Sequence, residues 1–489
     1  MASKTQRLAN FGVGLKFSDI PPEVIHQAER VILDTVGCAV AGYILDNAKT
    51  FLHVMEAQGG KPEATLFPTG HKTSVPVAAF VNSSLAHVLD LDDNLLYHCH
   101  FANTAVLPAI AMAERQGASG KDLVTAVVAA YEVTARISLS HATNCKILSP
   151  PPNARFGSPE LQADNYNVFG AAVGMGKLLG LSTEQMQDAM GMAGAHAPLP
   201  GPWGKGSTST TMAEPTMKGT KYGWQAWTGA IAVLLAEQGI TGRRDILDGE
   251  KGFWKLSGTE SCDYTMLDKD LGSQWWIMET SFKMYPAGTW MRPGMTATDN
   301  IIETHAIRPE EIERIVIRGA RGLEAFVKNP WAEGNPVNEI VGQTNYNYLI
   351  AMRALGIAPG KWHTAETYAD PRVVDMLRKM KFVSDPANEQ ALYEELIHQE
   401  KTRGVRFSTK APTTVEIHAR GAVFREHADY AKGDPFTQET RASDEDLADK
   451  FRTHAKGQIP DSHLEQAVYT LLHLSSVKDV RTATPLLTV

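Results

Sequence analysis

The stretch Asp90-Leu-Asp-Asp-Asn-Leu-Leu-Tyr-His-Cys-His100 places three carboxylates and two imidazoles within eleven residues. Small and apolar residues at helical spacing precede it over Val77–Val88, and a second apolar stretch follows over Thr104–Ala113. Acid and base groups that cluster between two buried helices indicate a functional site. An acidic helix end followed by a solvated polar loop would have the same composition, so composition alone leaves both interpretations open.

Two metal-binding patterns can be compared with the spacing of this stretch. A calcium loop that began at Asp90 would require Gly and Glu at the positions that Leu95 and Phe101 occupy. Zinc would have to use His98, Cys99 and His100, but three neighbours cannot all face one ion. The sequence therefore predicts metal-free acid–base chemistry, in which His100 titrates near neutrality and an Asp orients it.

The bulk composition restricts the class of partner. The chain has 489 residues, 43% of them hydrophobic and 21% charged, and its net charge is −8. This balance argues against a nucleic-acid or membrane surface, but it permits a small anionic substrate held by local positive charge. No secretory signal is evident, and the apolar run Ala226–Ala236 is too short to span a bilayer. The scattered cysteines Cys38, Cys99, Cys145 and Cys262 favour a reduced, cytoplasmic environment.

Capping and periodicity signals predict helices in most of the chain. One begins after Asp19, which is expected to be its cap, and ends at Gly42. Capping boxes at Ser119 and Ser182 open two more, and a further buried helix covers Tyr222–Gly239. Residues Ser138–Asn167 are expected to form a long loop.

The pattern changes at about residue 276. Glu311–Arg318 and Thr413–Arg420 alternate apolar and polar residues and predict strands, the second turning at Gly421 into a hairpin. Helices are expected at Ala351–Leu355 and Asp375–Met380 between them, and again over Ser443–Leu472. We therefore predict a mainly α protein, with a large helical domain from residues 1–275 and 431–489 and an inserted α+β lid over residues 276–430.

Several stretches resemble, in order along the chain, motifs of the MmgE/PrpD family, whose members include 2-methylcitrate dehydratase, cis-aconitate decarboxylase and iminodisuccinate epimerase. Each piece alone is unspecific, but the ordered set is specific. The pieces are Arg30–Gly37, Ala86–Asp93, Ala105–Pro108, Ser119–Leu123, Tyr131–Arg136, Gly176–Leu181, Lys218, Gly239–Gly242, Phe282–Pro286 and Lys432–Gly433.

The resemblance implies a homodimer with its active site in the cleft between helical domain and lid, and it implies that no cofactor is needed. The family's catalytic positions fall on Asp90, His100, Lys218 and Lys283. Asn94 replaces a small polar residue that is usually Thr, and Lys221 replaces a frequent His. The expected substrate-binding residues are Asn94, Asp93, Lys221, Tyr285 and Arg292.

Two departures concern the reaction. The family's second His is absent, because the corresponding position falls on Leu161 or Asp164. A Tyr used by the decarboxylase corresponds to Phe326. Both departures weigh against cis-aconitate itself as the substrate.

The shared chemistry implied by the resemblance is the formation and quenching of a carbanion or enolate beside a carboxylate. Two lysines would stabilise that charge and His100 would move the proton. We therefore expect a lyase, a dehydratase or a decarboxylase, acting on a small di- or tricarboxylate. An epimerase of an iminodisuccinate-like dicarboxylate is the alternative, and a non-catalytic ligand-binding protein on the same fold is a third.

Overall fold

The computed structural model of the protein describes residues 2–97, 100–141, 146–149, 155–157, 164–198, 216–249, 251–257, 262–327, 330–333, 337–405 and 407–489. The fold is mainly helical, as the sequence predicts. The helices are α1 (Lys4–Gly14), α2 (Pro22–Gly42), α3 (Asp46–Glu56), α4 (Val75–His87), α5 (Ala102–Gln116), α6 (Gly120–Ser140), α7 (Asn167–Leu179), α8 (Thr183–Ala195), α9 (Lys221–Glu237), α10 (Phe253–Leu256), α11 (Arg292–His305), α12 (Pro330–Glu333), α13 (Glu339–Gln343), α14 (Tyr346–Ala354), α15 (Ala365–Tyr368), α16 (Pro371–Arg378), α17 (Pro386–Arg403), α18 (Asp444–Ala455) and α19 (Asp461–Leu472).

The strands are short except in one sheet. They are β1 (Ala64–Thr65), β2 (Lys72–Thr73), β3 (Asn94–Leu95), β4 (Lys146–Ser149), β5 (Arg155–Gly157), β6 (Thr280–Ser281), β7 (Ile312–Gly319), β8 (Met380–Ser384), β9 (Thr413–Ala419) and β10 (Ala422–Ala428). The four-stranded sheet has the order β10-β9-β7-β8, in which only the β7–β8 pair is parallel. The predicted hairpin turn is present, and both of its residues, Arg420 and Gly421, have positive φ, as a type I′ turn requires.

The helical core is built around α2. This helix packs against α4, and the C-terminal helices α18 and α19 pack against it as well. Helix α7 lies between α5, α6 and α9, and its glycines allow close approach: a Cβ at Gly174 would lie 3.3 Å from the Cβ of Ala130. The first and last parts of the chain therefore share one apolar cluster.

A second apolar cluster lies in the segment with the four-stranded sheet. Helix α11 packs on β9 and β10, and α17 lies against β7. The buried residues of this second cluster lie between Ala287 and Ala428 in the sequence. The boundaries that we predict for the two domains, at residues 275/276 and 430/431, stay a prediction.

Local capping signals locate the predicted helices well. The hydroxyl of Ser119 accepts from the amide of Asp122, whose carboxylate accepts from the amide of Ser119, and Ser182 and Gln185 form the same box. Each box satisfies amide groups that the first helical turn leaves without partners. The helix predicted from Asp19 ends at Gly42 as expected.

Three local predictions are wrong. Asp19 does not cap α2; its carboxylate accepts from the amide of Lys16 and closes a short 3-10 turn, and α2 begins after Pro21. Met380 begins strand β8 rather than ending a helix, because its segment pairs with β7. The expected loop Ser138–Asn167 begins after α6 ends at Ser140 and contains the paired strands β4 and β5.

One helix of the described residues, α6, is by itself long and apolar enough to cross a membrane. All of the residues in its most apolar window are buried inside the fold. The core therefore accounts for its apolar character.

Candidate active site

The segment between α4 and α5 has an unusual backbone. Asp90, Leu96 and Tyr97 all have φ between 50° and 55°, a left-handed conformation that side chains with a Cβ rarely adopt. Strand β3, inside this segment, pairs with β6. That pairing brings Lys283, two residues beyond β6, next to Asp90.

The Asp90 carboxylate joins two lysines from distant parts of the chain. Lys218 donates to one carboxylate oxygen at 2.9 Å, and Lys283 donates to the other oxygen and to the Asp90 carbonyl. Asp90 is 5% exposed and Lys283 is fully buried. Burial alone would raise the pKa of Asp90, but the two ammonium groups hold it well below its usual range. Burial lowers the pKa of Lys283, against the attraction of Asp90.

The Asp92 carboxylate joins two histidines. Its oxygens lie 3.1 Å from Nδ1 of His87, and one lies 3.0 Å from Nδ1 of His100. Asn103 donates to the same oxygen at 2.5 Å. The rings of His87 and His100 meet edge to face at 5.2 Å, and Tyr222 packs against both.

Burial controls the charge of these groups. It lowers the pKa of His87 to about 3, against the attraction of Asp92. Burial also lowers the pKa of His100. The negative charge of Asp92 acts against this shift, and the positive charge of Lys283 adds to it. Both imidazoles are therefore neutral at neutral pH, and each has one nitrogen left as a base. Burial would raise the pKa of Asp92, but His100 and His87 hold it well below its usual range.

The same residues include a set of atoms of the kind that bind metals. Donor atoms of His87, Asp90, Asp92 and His100 lie within 4.8 Å of one another. Sequence spacing did not indicate this set. Lys218 and Lys283 already neutralise Asp90 and would repel a cation there, so the arrangement favours acid–base chemistry over metal binding.

Arg292 lies in a second buried ion pair near the lysines. Its Nη2 donates to Asp434 at 2.8 Å, and Asp434 also accepts from the hydroxyl of Tyr97. Its Nε and Nη1 are buried and have no hydrogen-bond partner within the described residues. A carboxylate is the natural partner for such unpaired guanidinium N–H groups.

The other predicted binding residues have protein partners. Asp93 accepts from the amides of Phe101 and Ala102 at the start of α5, and burial raises its pKa to about 8. Asn94 is buried in β3 opposite Ser281.

Lys221 and Tyr285 each have an acidic partner other than Asp90 and Asp92. Lys221 pairs with Asp164 at 2.6 Å, and Asp164 is one of the two positions that could correspond to the family's second His. The hydroxyl of Tyr285 donates to Asp299, and its ring stacks on Trp362 within the lid segment. The structure therefore brings together Asp90, His100, Lys218 and Lys283, but it does not bring Tyr285 to them.

Four residues of the site were not predicted from the sequence. Asp92 and His87 lie in the quoted motifs but were given no role. Gln343, in the lid segment, accepts from Lys218 at 3.3 Å and donates to the carbonyl of Val88 at 2.6 Å. Lys450, on α18, donates to the carbonyl of Leu91 at 2.9 Å. No local sequence signal identifies the last two, because both contacts are long-range.

The comparisons with known proteins agree with the resemblance noted in the sequence. The model of the MmgE/PrpD N-terminal domain matches residues 6–263, and that of the C-terminal domain matches residues 285–474. Cis-aconitate decarboxylase of Homo sapiens is 26% identical over 517 aligned positions, covering 100% of this chain and 95% of that protein. The Mus musculus enzyme of that name is 26% identical over 100% of the chain and 94% of its own, and the one from Aspergillus terreus is 24% identical over 71% of each. Because the two family models together span most of the chain, the protein belongs to the MmgE/PrpD family.

Proposed function

We propose that the protein is a cofactor-independent lyase acting on the carbon next to a carboxylate of a small di- or tricarboxylate, as a dehydratase or decarboxylase of the 2-methylcitrate or cis-aconitate type. The observation that carries the proposal is the convergence of two lysines on one buried carboxylate beside His100. Relatives named as cis-aconitate decarboxylases support the same class. We further propose that it acts as a homodimer in the cytoplasm.

The site offers cationic groups to an anionic substrate. Lys218 and Lys283 balance Asp90 and Asp92 when the imidazoles are neutral. A substrate carboxylate would replace Asp90 as the partner of Lys218, whose side chain is 11% exposed. An unpaired N–H group of Arg292 would hold a second carboxylate. Burial strengthens these attractions, since the surrounding dielectric is low.

In dehydration, the free nitrogen of His100 takes the proton from the carbon next to the carboxylate. The electron pair enters the enolate, which the lysine ammonium groups stabilise. The carbon–oxygen bond then breaks, and hydroxide takes the proton back from the imidazolium and leaves as water. In decarboxylation the carbon–carbon bond breaks first and carbon dioxide leaves. His100, after taking up a proton from solvent, protonates the carbon that keeps the electron pair and returns to its neutral form.

The test is a panel of di- and tricarboxylates incubated with the protein in deuterated water and followed by proton NMR. We expect a lyase product with one of them, and exchange at the carbon next to a carboxylate. Dialysis against a chelator should leave the rate unchanged, because lysines supply the positive charge. Exchange with inversion and no net product would identify the epimerase, and binding without exchange would identify a non-catalytic protein.

A further inference from the structure

His87 is a buried imidazole that the proposed chemistry does not use. It is 1% exposed, and its Nδ1 lies 3.1 Å from both oxygens of Asp92. Its Nε2 is buried without a hydrogen-bond partner among the described residues. Because its imidazole is neutral, the proton on Nδ1 is the one that it donates to Asp92.

The negative charge of Asp92 therefore interacts with several donors at once. It accepts from His87 and from Asn103, and it lies beside His100. A carboxylate whose oxygens already accept two other hydrogen bonds stabilises an adjacent imidazolium less than a free one does. Each donor on Asp92 should therefore weaken the attraction that would otherwise hold a proton on His100.

We propose that His87 is a positioning residue for His100: by donating to Asp92 it takes up part of the negative charge of that carboxylate, and it thereby keeps the imidazole of His100 neutral and ready to accept a proton. The inference deepens the proposed function and rests on the acid–base role of His100. The device suits a buried base, because a carboxylate that orients an imidazole also tends to keep it protonated.

The other groups around the two rings do not depend on His87. Asp90 attracts a proton to His100, and Lys283 repels it. Lys218 and Lys221 repel a proton from His87. The groups that face the pair in the described part of the chain are Asp90, Asp92, Lys218, Lys221, Lys283 and Tyr222. Replacement of His87 leaves all of them in place, so a change in His100 would be transmitted through Asp92.

The experiment measures the titration of His100 in the substrate-free protein. Histidine labelled with ¹³C at Cε1 gives one NMR signal per ring, and the signal missing from His100→Gln identifies His100. We expect His87→Phe, which keeps a ring but removes the donor, to raise the titration midpoint of His100 by roughly one pH unit. His87→Asn, whose amide can donate from the Nδ1 position, should restore the midpoint to within a few tenths of the wild-type value.

Asn103 gives an independent test if His87→Phe does not fold. Asn103→Leu removes the other donor to Asp92 without touching His87, and it should move the midpoint in the same direction. A purely packing role for His87 predicts no change in His87→Phe. A midpoint that stays at or below the wild-type value in His87→Phe, even where Asn103→Leu raises it, would overturn the proposal, and so would a midpoint that Asn103→Leu leaves unchanged, because Asp92 would then not transmit the change.

The titration needs no turnover, so it separates this inference from the proposed function. If the midpoint of His100 shifts in a protein that converts no carboxylate, the electrostatic role of His87 is supported and the proposed lyase function is contradicted. If a substrate is found, the acid limb of kcat/KM should move with the NMR midpoint in His87→Phe. A lyase whose acid limb and midpoint stay where they are would keep the lyase and reject the role of His87.

Discussion

Two buried histidines of this protein differ in what surrounds them. His100 lies beside Asp92, with 12% of its side chain exposed. His454, on α18, is buried in the helical core, where burial lowers its pKa to about 3. The proposed chemistry uses the first to exchange a proton with a substrate and gives the second no part.

This difference leads to a paired prediction. His100→Gln should reduce kcat by about 10²–10⁴-fold, the usual effect of removing a general acid–base group. Its melting temperature should change little, because His87 and Asn103 still hold Asp92. His454→Gln should lower the melting temperature and leave kcat per folded molecule unchanged. Steady-state rates and thermal melts on both variants check this, and a reversed pattern would make His100 the structural residue.

The sequence could identify some of these residues but not their partners. Asp90, His100, Lys218 and Lys283 follow from motif resemblance, each from its own stretch. The sharing of Asp92 between His87 and His100 occurs in a segment whose backbone is left-handed at Asp90. Nothing in the residue types near Asp90 requires that conformation, so the pairing was not predictable.

At the scale of elements, helix α18 contacts the segment between α4 and α5 that carries Asp90 and Asp92. Lys450 pairs with Asp34 of α2 and donates to the carbonyl of Leu91. Both charged side chains are buried. A helix near the C-terminus thus holds the backbone next to Asp90 and Asp92. The sequence predicted α18 from its periodicity, but it could not predict this contact, which spans most of the chain.

Lys450→Met should therefore destabilise the protein by about 3–5 kcal/mol, because it leaves Asp34 buried without its partner. Adding Asp34→Leu should recover most of that stability. The double variant should still turn over roughly fivefold more slowly, since the carbonyl of Leu91 has lost a hydrogen bond worth about 1 kcal/mol. Urea unfolding and steady-state rates measure the two effects.

The control for this pair is Lys49→Met. Lys49 pairs with Asp46 on the surface, where Asp46 is fully exposed, and such pairs contribute little to stability. A loss in Lys450→Met no larger than in Lys49→Met would contradict a supporting role for α18. Full activity in the double variant would show that the Leu91 contact does not matter to the site.

At the scale of the whole molecule, the lid segment and the helical core are joined by polar contacts at the site. Gln343 connects Lys218 to the carbonyl of Val88. Lys283, also in the lid segment, donates to Asp90. The buried His363 lies 2.7 Å from the carbonyl of Pro286, within the lid segment itself. Periodicity indicated an α+β segment inserted among helices, but the contacts that join it to the core involve single polar residues without a local pattern.

Three buried histidines, His87, His363 and His454, allow a prediction of how the stability of the protein depends on pH. Burial lowers the pKa of His87 and His454 to about 3 and that of His363 to about 4, whereas each would titrate near 6.5 in the unfolded chain. Between pH 6.5 and about 4 the unfolded chain therefore binds protons that the folded chain does not. The stability from these groups is complete above pH 6.5 and is lost as the pH falls towards their folded-state values.

Each such histidine should lower the free energy of unfolding by about 1.4 kcal/mol per pH unit in that range, and the three together by roughly 4. Urea unfolding at pH 7, 6 and 5 measures the slope. His454→Gln should reduce the slope by the contribution of one proton, about 1.4 kcal/mol per pH unit. A free energy of unfolding that does not change from pH 7 to pH 5 would mean that these imidazoles accept protons in the folded state. His87 would then not be neutral, and the proposed role of His87 at Asp92 would be contradicted as well.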